Sequence, residues 1–383
     1  MLVSNLQAAV SVVYISLDLG RKLWVCGIWS HDQKEPSIHR IKRNNGYGSM
    51  LNKLERLIRG LQKKHGSKVQ LHLCFEASYL GYWLCRWLRA IGVEVYVIAP
   101  NSIERPRKSR IAKTDRLDAR MLVRKLKQYL ESDKRAFSVV YEPTRDEEAI
   151  RFRQRERERL LKEIHRVRNQ LKSLVESEGL PVDKKPNRSV DWLALIGLLP
   201  QLKTFDGHAV SAAVIAGMKR MAALLELLEQ QQTEVEKAIA DYHASLPETA
   251  PAVRLVRIRG IGVRSAQQLC AELMNFERFT GRKKIGKFAG LTSTPSESCG
   301  RGTGLGIGKD GNSYIRRVAI QLAWFWRKHQ PDCALVKKYH DRLEQGGRVR
   351  RIAIVALARE LLTALWRDIV HGVEMEGVVY KDS

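Results

Sequence analysis

Two stretches of this chain carry apolar residues at alternating spacings of four and three, a pattern that paired helices satisfy and strands do not. In the first, Leu160, Ile164, Val167, Leu171 and Leu174 follow one another; in the second, Val214, Met218, Met221, Leu225, Leu228, Gln232, Val235, Ile239 and Tyr242 do, with Gln232 the polar interruption. Residues 179–187 between them hold a glycine, prolines and a Lys-Lys pair and read as a turn or loop. Two long arms are therefore expected, forming an antiparallel coiled coil or a stalk that pairs with another subunit. Helices packed only on their own domain fit the same pattern. The arms split the 383 residues into three expected parts: 1–140, a helical coiled-coil middle over 141–250, and a mainly α C-terminal domain over 251–383.

The first part follows a different period. Short apolar runs at 12–18 and 22–29 read as a hairpin, 38–43 as a third strand, 69–76 and 93–99 as two more. Leu51, Leu54, Leu57, Ile58 and Leu61 share one helical face, and further helices are expected over 80–91 and about 116–130. Three strands followed by alternating helix and strand describe an α/β layer.

Charge narrows the function classes. Lys and Arg number 67 against 41 Asp and Glu, a formal net charge of +26. Neutralising phosphates releases counterions, so such an excess points to a polyanionic partner and away from ordinary small-molecule enzymes. No apolar run is long enough to span a membrane, no signal peptide opens the chain, and no basic amphipathic helix marks a terminus. A cytoplasmic protein without a membrane partner is expected. The six cysteines, Cys26, Cys74, Cys85, Cys270, Cys299 and Cys333, are scattered without a CxxC and read as reduced thiols.

Four carboxylates stand out. Asp18 and Glu76 each close an apolar strand, where an unpaired charge is costly. Asp115 and Asp118 are three apart in the first turn of an expected helix, so they share a face at its anion-favouring end. Converging at a sheet edge, the four make an all-oxygen site for hard divalent cations, and two ions about 4 Å apart can clamp the attacking and leaving oxygens of a phosphodiester. Singly, each has a plainer reading: a helix cap for Asp115 or Glu76, a surface partner of Arg116 or Arg120 for Asp118. Their surroundings are basic, with Arg105, Arg107, Lys108, Arg110 and Lys113 just ahead of Asp115. The first arm, carrying Arg153, Arg157 and Arg168, is too basic for a simple solvated helix and reads as an RNA or DNA contact.

In the last part, 257–266 is similar to a helix-hairpin-helix turn in which Gly260 and Gly262 let backbone N–H groups approach a phosphate, though a plain turn between helices has the same composition. A serine-containing stretch then leads through Gly300 and Lys309 to Asn312 and a helix bearing Arg316 and Arg317. From composition alone this is a phosphate-gripping loop, because serine is a weak nucleophile without an activating base or metal.

Together, Leu17-Asp18-Leu19-Gly20, Phe75-Glu76-Ala77, Lys113-Thr114-Asp115-Arg116-Leu117-Asp118-Ala119, Gly290-Leu291-Thr292-Ser293-Thr294-Pro295, Gly306-Ile307-Gly308-Lys309-Asp310-Gly311-Asn312 and Leu322-Ala323-Trp324 resemble the DEDD transposases of bacterial insertion sequences, the group called IS one-ten. The resemblance covers most of the chain. It implies an RNase H-like, RuvC-like α/β N-terminal domain whose tetrad Asp18, Glu76, Asp115 and Asp118 binds Mg2+, a coiled coil, and a C-terminal transposase domain with Ser298 as nucleophile. It further implies a transient phosphoserine bond to double-stranded DNA, a structured noncoding guide RNA from the element, and a homodimer or homotetramer. Cys299 precedes Gly300 where the family usually has glycine directly after the serine, which leaves Ser296 as a second nucleophile candidate. Two rivals share the composition: a metal-dependent RuvC-like junction resolvase without a covalent serine intermediate, and a nucleic-acid-binding protein without catalysis.

Overall fold

The computed structural model describes residues 11–66, 68–103, 115–183, 185–292 and 306–381. Contacts divide the chain into two units that meet in sequence at Pro143 and Thr144.

The first unit is a three-layer α/β structure. Its elements are β1 (Val12–Leu19), β2 (Leu23–Ser30), β3 (Ser37–Lys42), α1 (Tyr47–His65), β4 (Gln70–Glu76), α2 (Trp83–Ala90), β5 (Glu94–Ile98) and α3 (Asp115–Glu131). The five strands lie in the order β3-β2-β1-β4-β5, with β1, β4 and β5 parallel and β2 antiparallel to both β1 and β3. Side chains alternate across a strand, so β1 sends Val13, Ile15 and Leu17 to one face and Tyr14, Ser16 and Asp18 to the other. On the first face they meet Leu54, Ile58, Leu84 and Leu88 from α1 and α2. On the second, Tyr14 and Cys74 join Leu122, Val123 and Leu126 of α3. A sheet covered on both faces explains why β1 and β2 read as nearly unbroken apolar runs.

The seating of α3 is unusually close. Register pairs Ser16 with Gly27 on one side and with Cys74 on the other, so three small residues form a row across β2, β1 and β4. The Ser16 hydroxyl donates to the Ala119 carbonyl at 2.7 Å, and the Cys74 thiol donates to the Leu122 carbonyl at 3.6 Å. A Cβ at Gly27 would stand 2.7 Å from Ser16 Oγ and 2.9 Å from the Ala119 oxygen, which real side chains do not tolerate. The missing side chain is therefore what lets the helix backbone reach the sheet.

The second unit is helical: α4 (Arg145–Ser177), α5 (Ser189–Leu198), α6 (Ala212–Ala244), α7 (Pro251–Val256), α8 (Val263–Leu273), α9 (Arg282–Phe288), α10 (Ser313–His329), α11 (Ala334–Lys337), α12 (His340–Glu344) and α13 (Gly347–His371). Thr144 and Glu147 form a reciprocal capping box that starts α4, with Asp146, Glu147 and Glu148 in its positive first turn. The arms α4 and α6 pair with each other inside the chain, Ile164, Val167 and Leu171 packing in one core with Met218, Ala222 and Leu225. Their ion pairs run antiparallel, Arg157 to Glu236 and Arg168 to Glu229. A short helix, α5, fills the region between the expected turn and the second arm, burying Trp192 and Ile196 in the same core. The rest packs around α10 and α13, whose Leu322, Ala323 and Trp326 meet Leu357, Ala358 and Leu361.

Replacing Gly27 with alanine should lift α3 from the sheet and lower the unfolding free energy by about 1–3 kcal/mol, the usual cost of overpacking a filled interior. Urea denaturation checks this; an unchanged midpoint would mean that the close approach is not structural.

Candidate active site

Parallel pairing of β1 and β4 brings their C-terminal ends to one sheet edge. Asp18 and Glu76 stand one residue beyond the Leu17–Phe75 pair and share the parity of Ser16 and Cys74, so both project to the face that α3 covers. The same register row that seats Ala119 of α3 sets its neighbour Asp118 over that edge. Asp18, Glu76 and Asp118, all half-buried, line one cleft of about 160 Å3 together with Leu17, Leu19, Ala77, Ser78 and Leu122. Asp115 is the first residue of α3, one helical turn ahead of Asp118. Burial, then Cys26 and Glu76, push the Cys74 thiol above its ordinary range, so it stays neutral beneath the acids.

Among the described residues the lining supplies carboxylate oxygens and no imidazole or thiol. That donor set fits a hard divalent cation. Arg105, Arg107, Lys108, Arg110 and Lys113, expected beside it, lie outside the described residues, as do Ser296, Ser298 and Cys299.

What is described of the serine stretch is its two stems. Gly308 N–H donates to the Thr292 carbonyl at 2.9 Å and Asn312 N–H to the Phe288 carbonyl at 2.7 Å, which holds residues 288–292 against 308–312. Two glycines make the approach possible. Gly290 is left-handed at φ 65°, and a Cβ on Gly311 would stand 2.3 Å from Gly290 N and from the Phe288 oxygen. Arg316 donates to the Ala289 and Lys309 carbonyls, both at 3.2 Å, tying the stems to α10. Lys309 itself is left-handed at φ 58°. Asn312 caps α10 by accepting from the Tyr314 N–H at 2.9 Å and the Ile315 N–H at 3.3 Å, and it donates to Glu272 at 2.7 Å.

Glu272 was not foreseen. It lies on α8 with its side chain only 1% exposed, and Arg155 of α4 grips it through two hydrogen bonds, at 2.7 and 2.8 Å. Glu158 is similarly buried and pairs with Arg317 and Gln268. The available signal was a lone acid flanked by the apolar residues Leu269, Ala271 and Leu273 of α8. Several basic residues expected to face nucleic acid thus meet carboxylates within the unit: Arg157, Arg168 and Arg317 all do so. Arg153 lies on α4, half-buried near Tyr242. Gly260 is left-handed at φ 92°, and a Cβ there would come within 3.2 Å of His329; Gly262 caps α8 in an extended conformation with open space around it.

Asn312→Asp retains a capping acceptor but loses the donor to Glu272 and adds a like charge. It should destabilise at least as much as Asn312→Ala, by about 1–2 kcal/mol. Thermal or urea unfolding of the two variants decides the matter, and a stability for Asn312→Asp equal to that of the parent would contradict the geometry.

Two family models match the chain. One for DEDD transposases of the IS110 type covers residues 15–178, and one described as "Transposase IS116/IS110/IS902 family" covers 252–340. A Sinorhizobium fredii protein, y4rJ, which carries a provisional transposase name, is 32% identical over 96% of this chain and 94% of its own length. The transposase for insertion sequence element IS1328 of Yersinia enterocolitica is 23% identical over 80% of this chain and 91% of its own, and that for IS1111A of Coxiella burnetii is 24% identical over 73% and 72%. The chain belongs to the IS116/IS110/IS902 family of transposases.

Proposed function

We propose that this transposase cuts and rejoins double-stranded DNA with the Asp18, Glu76, Asp115 and Asp118 tetrad as its Mg2+ site and Ser298 as its nucleophile, on an RNase H-like, RuvC-like N-terminal domain. The observation that carries the reading is the convergence of Asp18, Glu76 and Asp118 on one cleft at neighbouring strand ends. The sheet order β3-β2-β1-β4-β5 with α3 across it supports the fold assignment. Transposases of the DEDD class typically use a divalent metal.

Bound by these carboxylates, Mg2+ supplies Lewis-acid polarisation of the scissile phosphate. The chain's own groups do the rest. Half-burial of the three acids at the cleft floor fixes their oxygens before substrate arrives. The Ser298 hydroxyl attacks phosphorus: its Oγ–P bond forms, one P–O bond of the strand breaks, and the proton leaves with the departing oxygen. Attack by a hydroxyl of a second strand reverses the step, so the phosphoester is conserved between cutting and joining.

On this reading a structured noncoding RNA of the element chooses the DNA by base pairing while basic side chains hold backbones, as the +26 charge suits. Association of copies, as homodimer or homotetramer, is supported by exposed apolar residues on the arms, with Phe152 of α4 at 57% and Leu227 of α6 at 50%, and on the helix between them, with Val190 at 56% and Leu198 at 54%. The setting is the bacterial cytoplasm, near the nucleoid. Among the described residues no helix is long and apolar enough to cross a membrane.

Incubation with element-end DNA, the adjacent transcribed RNA and Mg2+ should give a protein–DNA adduct on a denaturing gel, absent for Ser298→Ala. Asp18→Asn or EDTA should slow strand cleavage by about a thousandfold, the several kcal/mol expected of a Lewis-acid ion. Cleavage without an adduct, unchanged in Ser298→Ala, would replace the serine mechanism with water attack of the resolvase kind.

A further inference from the structure

In the second unit, α9 and α13 frame a hollow of about 390 Å3 whose walls are charged with one sign. Arg282 and Lys283 enter it from α9, Lys338 from the residue after α11, and Arg359 and Arg367 from α13, against one carboxylate among the described residues, Glu360. That carboxylate is already engaged, receiving Lys338 at 2.9 Å and the Tyr339 hydroxyl at 2.8 Å. Among the described residues Arg282, Lys283, Arg359 and Arg367 make no ion pair within 4 Å, though the nearby Arg359 charge helps keep Glu360 ionised. This contrasts with the arms, where Arg155, Arg157 and Arg168 are each matched to a glutamate. Arg359, Thr363 and Arg367 recur every four residues and so share one face of α13, the face turned into the hollow.

Concentrating unmatched cations in a concave site costs self-repulsion, and the field is focused there by the low-dielectric walls. The arrangement is stable and useful when an anion fills it. Guanidinium forks suit phosphate oxygens, which they hold through paired N–H donors. Among the described residues no aromatic ring lines the hollow to stack a base, so its chemistry suits backbone phosphates and not base recognition. The rim includes Thr292, whose carbonyl receives Gly308 N–H in the stem pairing and which directly precedes the serine stretch in sequence.

We propose that this hollow is a docking site for the phosphodiester backbone of duplex DNA. The inference rests on the reading of DNA as substrate, but it concerns binding and not cleavage.

The test measures binding of a short fluorescein-labelled DNA duplex of unrelated sequence by anisotropy, across a salt series and in EDTA, with a fluorescein-labelled single-stranded RNA as second probe. Arg359→Gln/Arg367→Gln should weaken duplex binding about tenfold and make the salt dependence shallower by about 0.9 for each phosphate no longer neutralised, while RNA binding changes little. Lys283→Gln/Arg367→Gln, built only from exposed residues on two elements, should do the same, which separates a binding defect from misfolding. Arg59→Ala, which removes a charge from the exposed face of α1, should match the parent. Duplex affinity and salt slope equal to those of the Arg59→Ala control would overturn the proposal, and so would a loss confined to the RNA. Because EDTA is present throughout, failure of the metal or serine chemistry leaves this result standing, and a null result here leaves that chemistry untouched.

Discussion

The interaction on which the candidate site depends is the seating of one helix on a row of small residues. Gly27, Ser16 and Cys74 lie side by side in the register of three strands, and α3 rests on them through its Ala119 and Leu122 carbonyls. A larger side chain anywhere in that row would raise the helix and carry Asp118 away from Asp18 and Glu76. Strand pairing fixes two of the acids and helix seating fixes the third. The site is thus a by-product of packing between regular elements, which is the arrangement that holds functional groups most rigidly.

The second unit meets a different constraint. Its arms carry charge along the flanks of their apolar seam. Buried or half-buried glutamates take up the arginines: Glu236 and Glu229 between the arms, Glu272 and Glu158 between the first arm and the α8–α10 region. Glu272 does double service, since Asn312 ties the same carboxylate to the cap of α10 and so to one stem of the serine stretch. A bidentate arginine pair whose carboxylate is further hydrogen-bonded is the form in which a buried charge is tolerable.

Much of this was legible in the residues. Strands expected at 12–18, 22–29, 38–43, 69–76 and 93–99 correspond to β1 through β5 within a residue or two, because a sheet buried on both faces writes itself as apolar runs. The four-three spacing marked both arms, and the strand-end positions of Asp18 and Glu76 set them apart from other acids without any geometry. Other features were hidden for physical reasons. An isolated glycine within a strand signals a close approach, but nothing in the sequence says that the visitor is the Ala119 carbonyl. Arg155, Arg157 and Arg168 of α4 read in sequence as unmatched cations because their partners Glu272, Glu236 and Glu229 lie 61 to 117 residues away. Charge counts along a helix cannot reveal which cations are spoken for in space. The converse case, unmatched cations on α9 and α13, leaves no signature in the sequence because they are dispersed along the chain.

The central claim is that Asp18, Glu76 and Asp118 together form a divalent-cation site. It is tested most directly by titrating the intact protein with Mn2+ and following the free-ion signal by electron paramagnetic resonance. The account predicts binding that Mg2+ displaces and that is lost in Asp18→Asn and Glu76→Gln and weakened in Asp118→Asn, with the fold of each variant intact by circular dichroism. Equal Mn2+ binding by the parent and all three variants would contradict it.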